Sequence, residues 1–211
     1  SSYNLPMIPD YWLQAADELS SGDPAMAELV QCYAGVSLVS GGDAFGTLAR
    51  SIVGQQISVK AADAVWRRFA VQIGEVTPQC VLELGPSGLE GCGLSRRKIE
   101  YLGDLASHFA DGRLDPAAWS SLDEDEIIAE LTAVRGIGRW TAEMFLIFHQ
   151  LRPDVFPLDD IGLHRAVSER YFAGEKQSRR VLAEFGERWR PWRSVATWYL
   201  WRSLDPVPVE Y

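Results

Sequence analysis

The chain has 211 residues, 47% of them hydrophobic and 11% aromatic, enough to build a real core in a single domain over 1–211 or in two tightly packed helical halves. Its formal charge of −9 argues against a protein that coats nucleic acid by bulk attraction, because counterion release needs clustered lysine and arginine. No uncharged apolar run reaches the ~18 residues of a membrane span, and Ser1-Ser2-Tyr3-Asn4 lacks a basic region followed by an apolar segment, so neither secretion nor membrane contact is expected.

Residues 9–34 predict two helices, one with Tyr11, Trp12, Ala15 and Leu19 on a stripe, the next with Met26, Leu29, Val30 and Tyr33. Gly41-Gly42-Asp43 then breaks the chain and caps a helix bearing Phe45, Leu48, Ile52 and Val53. In Val53-Gly54-Gln55-Gln56-Ile57-Ser58 a glycine interrupts the helical pattern, and Ser58 or Gln56 opens the following helix with Ala61, Ala64, Val65 and Phe69. Two readings of the glutamine pair stand: a solvated corner, or a rigid corner whose side chain fills the stack left by a flipped nucleotide. Residues 77–110 hold a second glycine corner, with Ser95 capping a helix that carries Ile99, Leu102, Leu105, Ala106 and Phe109. Arg96-Arg97-Lys98 in its first turn runs against the helix dipole, either as a solvated charge run or to meet an outside anion. Asp111-Gly112-Arg113-Leu114-Asp115-Pro116 is a loop into a short helix with Trp119.

Residues 121–152 read as helix, tight hairpin, helix. Ser121 with Glu124 suggests a capping box, and Ile127, Ile128, Leu131 and Val134 share one face. After the turn, Thr141, Ala142, Phe145, Leu146 and Phe148 continue as a second apolar helix up to Arg152-Pro153. In the turn itself Gly136 and Gly138 allow positive φ and close approach, while Ile137 plugs into the core. Arg135 and Arg139 flank a helix start whose N–H groups can bind an anion, and since no nucleotide-binding strand precedes it the expected anion is a nucleic-acid phosphate. A plain glycine-capped corner is the other reading. Beyond the acidic pair Asp159-Asp160 come a helix with Leu163, Val167 and Tyr171, a loop at Gly174, a helix with Val181, Leu182 and Phe185, and an aromatic terminal element with Trp189, Trp192, Trp198, Tyr199 and Trp201. No strand pattern of length emerges.

The run Leu131-x-x-Val134-x-Gly136-Ile137-Gly138-x-Trp140-Thr141-Ala142, then Asp154-Val155-Phe156-Pro157-x-Asp159-Asp160 and Arg165, resembles the helix-hairpin-helix DNA glycosylases, 3-methyladenine DNA glycosylase II most of all. The resemblance covers about residues 43–202. It implies an all-α fold, a compact helical bundle of two packed halves; the first forty residues are too few for the N-terminal β domain of some relatives. It implies Asp160 as the catalytic carboxylate, with Asp159 its non-catalytic neighbour. From the residues alone, the pair can equally cap the following helix. The resemblance further implies Gln56 as the DNA wedge, Trp201 as a base-stacking tryptophan, and backbone contact by residues 135–139: Arg135, Gly136, Ile137, Gly138 and Arg139. A monovalent cation at the hairpin, 134–139, is implied in the same way.

The chemistry follows. An N-alkylated purine is already cationic and leaves without acid help, so one carboxylate beside an oxocarbenium-like sugar suffices. Trp140 stands where strand-cutting relatives carry a lysine nucleophile, and no lysine lies between Lys98 and Lys176, so a monofunctional enzyme leaving an abasic site is expected. Trp140 suits cation–π stacking on an electron-poor base, with Met144 one turn on sharing the wall. His108, His149 and His164 form no ligand spacing, so no catalytic metal is expected, and Cys32, Cys80 and Cys92 are expected as buried, reduced thiols. The expected partner is double-stranded DNA with alkylated bases, met by a monomer in the cytoplasm or nucleus. A non-catalytic helix-hairpin-helix DNA-binding module is the alternative.

Overall fold

The computed structural model describes residues 8–205, so Ser1-Ser2-Tyr3-Asn4 lies outside them. Among the described residues there are α-helices, two 3-10 turns and no strand, which matches the all-α expectation. The helices are α1 (Trp12–Ser20), α2 (Pro24–Cys32), α3 (Ala44–Val53), α4 (Val59–Ile73), α5 (Pro78–Gly88), α6 (Arg96–Ala110), α7 (Glu124–Thr132), α8 (Arg139–Phe148), α9 (Ile161–Tyr171), α10 (Arg179–Gly186) and α11 (Arg193–Leu204). None is long and apolar enough to cross a membrane. The described residues form two compact units: Gly42–Phe145 is one, and the other joins those up to Gly41 with those from Leu146 onward.

In the unit Gly42–Phe145, α6 packs against α3 and α5, burying Phe45, Leu48, Ile52, Leu102 and Leu105. Phe109 sits edge-on to Phe45 and to Trp119, and the buried Trp119 donates its indole N–H to Glu130 at 2.9 Å. Helix starts are set by short polar side chains, as the sequence predicts at Asp43 and Ser95; at the next start Ser58, rather than Gln56, accepts from the Ala61 N–H. The capping box before the hairpin is shifted by two residues. Asp123 and Glu126 exchange the reciprocal bonds, while Ser121 is used up in a 3-10 turn, bonding back to the Ala118 carbonyl.

In the other unit, α11 packs against α1, α2 and α9, and its residues from Ser194 to Leu200 are buried all round. The terminal aromatics are mostly core: Trp12 lies edge-on to Trp198, and Trp189 stands against Phe156 and Phe185. Helix α8 ends at Phe148, before the proline that the sequence suggested as its stop. There Leu151 adopts a left-handed φ of 53° and the Arg152 N–H bonds to the Leu146 carbonyl. Of the cysteines only Cys92 is buried; Cys32 is exposed and Cys80 half-buried, so the buried-thiol expectation holds at one position.

A single carboxylate ties this unit together. Asp23 caps α2 by accepting the Met26 N–H, and it also takes the Tyr171 hydroxyl at 2.9 Å and the Trp189 indole N–H at 3.3 Å. Burial, reinforced by the Asp23 charge, pushes the Tyr171 phenol above its ordinary pKa, so the hydroxyl stays a donor. Removing the acceptor orphans all three donors. Asp23→Ala is expected to lower the unfolding free energy by about 3 kcal/mol, the combined scale of a lost cap and a charged hydrogen bond, measured by urea titration; a loss under ~1 kcal/mol would contradict the role given to it.

Candidate active site

The Leu158-Asp159-Asp160 turn leads into α9, and the two acids part company there. Asp159 is exposed and pairs with Arg179 at 3.0 Å. Asp160 is 8% exposed and is itself the N-cap of α9, so the structure gives the cap to the second acid of the pair. Its Oδ1 accepts the Leu163 N–H at 2.6 Å and the Trp201 indole N–H at 2.8 Å. The carboxylate is thus pinned from its own helix and from α11, 41 residues away. Gly162 makes the approach possible, since a Cβ there would stand 3.1 Å from Asp160 Oδ1 and 3.4 Å from the Trp201 ring.

Trp201 is half-buried and lies flat on Phe148, with 5.5 Å between centroids and 7° between planes. The indole is thus held by one ring and holds the acid through its N–H. Phe148 is a member of this group that periodicity alone marks only as helix core. His164 bonds the Leu158 carbonyl through Nε2 at 2.6 Å, fixing the turn before the acid, and Arg165 pairs outward with Glu169.

The hairpin between α7 and α8 belongs to the unit Gly42–Phe145. Gly136 has φ +90°, and a Cβ there would fall 2.3 Å from the Tyr101 ring; both facts require glycine. Gly138 has neither constraint, so only the first glycine of the pair does what the sequence asked of both. Ile137 is 4% exposed and plugs into the core as expected. Both flanking arginines are exposed and engaged with acids. Arg135 meets Glu100 at 3.2 Å and donates its backbone N–H to Asp104 at 2.8 Å; Arg139 meets Asp125 at 3.4 Å and Glu143 at 3.9 Å. The Arg135–Glu100 and Arg139–Asp125 pairs are exposed and worth ~1 kcal/mol or less each, whereas Glu143 is buried. On α8, Trp140 is 41% exposed while Met144 is 4% exposed, which leaves Trp140 as the solvent-facing member of that proposed wall.

In the same unit, Gln56 is exposed and adopts a left-handed φ of 59°, uncommon for a residue with a Cβ. Its neighbour Gln55, to which the sequence gives no role, donates its side-chain amide to the Gly136 carbonyl at 2.7 Å. Of the basic run 96–98, only Arg96 and Arg97 face outward; the Lys98 ammonium turns in to the carbonyls of Val53 and Gln55.

A family model described as HhH-GPD superfamily base excision DNA repair protein matches residues 49–191. The chain belongs to that superfamily. It is 32% identical to DNA-3-methyladenine glycosylase 1 of Schizosaccharomyces pombe, over 74% of this chain and 70% of that protein. Among solved structures, a DNA-3-methyladenine glycosidase from Bacillus halodurans aligns with TM-score 0.84 and 34% identity, over 90% of this chain and 89% of that one. The Schizosaccharomyces pombe 3-methyladenine DNA glycosylase in complex with abasic DNA aligns with TM-score 0.75 and 29% identity, over 93% and 100%. The chain spans 66% of the length of the Bacillus subtilis relatives it matches.

The indole bond to the acid yields a test. Trp201→Phe keeps a ring on Phe148 and deletes the donor, so base excision should slow by about tenfold, some 1.4 kcal/mol, without loss of the folded state by circular dichroism. An unchanged rate would show that Trp201 does not position Asp160.

Proposed function

We propose that this protein is a monofunctional DNA glycosylase, which flips alkylated purines of the 3-methyladenine type out of duplex DNA and excises them, leaving an abasic site. The observation that carries the reading is the Asp160 carboxylate, held by the Leu163 N–H and the Trp201 indole in a chain of the HhH-GPD superfamily. The names of the relatives, and the abasic DNA bound to the Schizosaccharomyces pombe enzyme, support the same choice of substrate.

The chemistry asks little of the protein. The C1′–N bond of an alkylated purine breaks with its electron pair going to the cationic base, which leaves neutral. The sugar is left as an oxocarbenium ion, and a fixed carboxylate beside it stabilises the positive charge without reorganising. Water oriented by Asp160 adds at C1′, and the proton it loses passes to bulk water. Trp140, exposed at the start of α8, stacks on the electron-poor base, and Trp201 holds the acid. Gln56 enters the duplex as the wedge. The hairpin, with Arg135 and Arg139 at its edges, takes the phosphate backbone at the first turn of α8, where helix geometry leaves N–H groups without helical partners.

A monovalent cation fits this hairpin chemically. The Val134, Gly136 and Gly138 carbonyls would hold it; each already accepts one N–H, from Ile137, Gln55 and Ala142, and keeps a second lone pair. When bound, it would add positive charge next to a DNA phosphate.

Strand cleavage by Schiff-base chemistry needs a free amine. Trp140 stands where strand-cutting relatives carry a lysine for this step, no lysine lies between Lys98 and Lys176, and Lys98 itself is occupied by two carbonyls. The protein should therefore release free methylated purines from methylated duplex DNA, as read by chromatography, while strands stay intact until alkali cuts the abasic sites. Borohydride should trap no covalent adduct. Binding without base release would favour the non-catalytic DNA-binding module, and a trapped adduct would show a lyase.

A further inference from the structure

Helix α6 carries three side chains one turn apart, Lys98, Tyr101 and Asp104, and each meets either the turn at Gln56 or the hairpin. Lys98 Nζ donates to the Val53 carbonyl at 2.7 Å and to the Gln55 carbonyl at 2.8 Å. Tyr101 lies directly under Gly136 of the hairpin. Asp104 accepts the Arg135 N–H at 2.8 Å. Gln55 closes the circuit by donating its side-chain amide to the Gly136 carbonyl. One helix face therefore holds both the wedge turn and the hairpin of this unit.

The need for such a hold is visible at Gln56. A non-glycine residue in the left-handed region is strained, and the strain persists only where the surroundings over-determine it. Val53 ends α3, so its carbonyl lacks a helical partner, and a cation there also meets the negative end of the helix. A lysine suits this position because a compact ammonium can serve two converging carbonyls at the end of a thin stem. Burial lowers the pKa of Lys98 from the usual lysine value.

We propose that Lys98 is a positioning residue for base flipping: by binding the Val53 and Gln55 carbonyls it fixes the strained turn that presents Gln56, in register with the hairpin. This rests on the reading of Gln56 as the wedge. Lys98 does not touch DNA in this role. It acts through the backbone on either side of Gly54.

The test compares base release from one methylated oligonucleotide, single-stranded and annealed in a duplex. The ratio of the two rates does not depend on how much of a variant is folded, and only the duplex requires a wedge. Lys98→Met should lower the duplex-to-single-strand ratio by about tenfold, Lys98→Arg should restore part of it by keeping a cation that can reach both carbonyls, and Lys98→Met should add nothing in a Gln56→Ala background. A Lys98→Met variant that slows both substrates in equal proportion would overturn the inference and leave Lys98 a stability residue. If Gln56→Ala lowers the ratio and Lys98→Met does not, the wedge stands and the role of Lys98 falls. If Gln56→Ala itself leaves the ratio unchanged, the wedge reading fails, and the inference fails with it.

Discussion

The account depends on one carboxylate oxygen. Asp160 Oδ1 accepts a backbone N–H from the first turn of α9 and an indole N–H from α11, so the acid is fixed by two elements that meet only in the fold. An N-cap aspartate normally serves its own helix. Here the second donor turns a capping residue into a preorganised group, because the Trp201 ring is itself held flat against Phe148. Electrostatic catalysis gains from such fixation, since a charge that is already in place need not reorganise when the sugar becomes cationic.

The residues proposed to meet DNA in the unit Gly42–Phe145 belong to a chain whose net charge is −9. In the hairpin Arg135 and Arg139 are partnered by Glu100, Asp125 and Glu143, and the Lys98 ammonium turns inward to the Val53 and Gln55 carbonyls. On the proposed reading the grip comes from backbone N–H groups and shape rather than from bulk charge.

Much of this was legible in the sequence, and the reasons divide cleanly. Helices were readable because apolar residues recur at helical spacing, and their starts because Asp43 and Ser95 are local signals whose partners lie three residues away. The hairpin was readable at Gly136, where positive φ and the Tyr101 ring leave no alternative to glycine. Two overlapping cap patterns, Ser121 with Glu124 and Asp123 with Glu126, could not be ranked locally; the 3-10 turn at Trp119–Ser121 decides for the second. The contacts that define the site were not legible in any local window. Trp201 to Asp160 spans 41 residues, Lys98 to Val53 spans 45, and Gln55 to Gly136 spans 81. Each uses a side chain that looks ordinary in its own window: one more tryptophan in an aromatic helix, a lysine in a basic run, a glutamine beside another. The burial of Met144 beside the exposed Trp140 was not readable either, since spacing says nothing of how quickly α8 becomes buried.

The measurement that reaches the central claim most directly is single-turnover base release by Asp160→Asn on methylated duplex DNA, set beside its affinity for the same duplex. The amide retains an oxygen for the Leu163 and Trp201 donors but removes the charge. The account predicts that excision falls by at least about a hundredfold while binding is kept, because the charge matters only once the sugar turns cationic. Excision within a few-fold of the unaltered protein would mean that this carboxylate is a helix cap and nothing more.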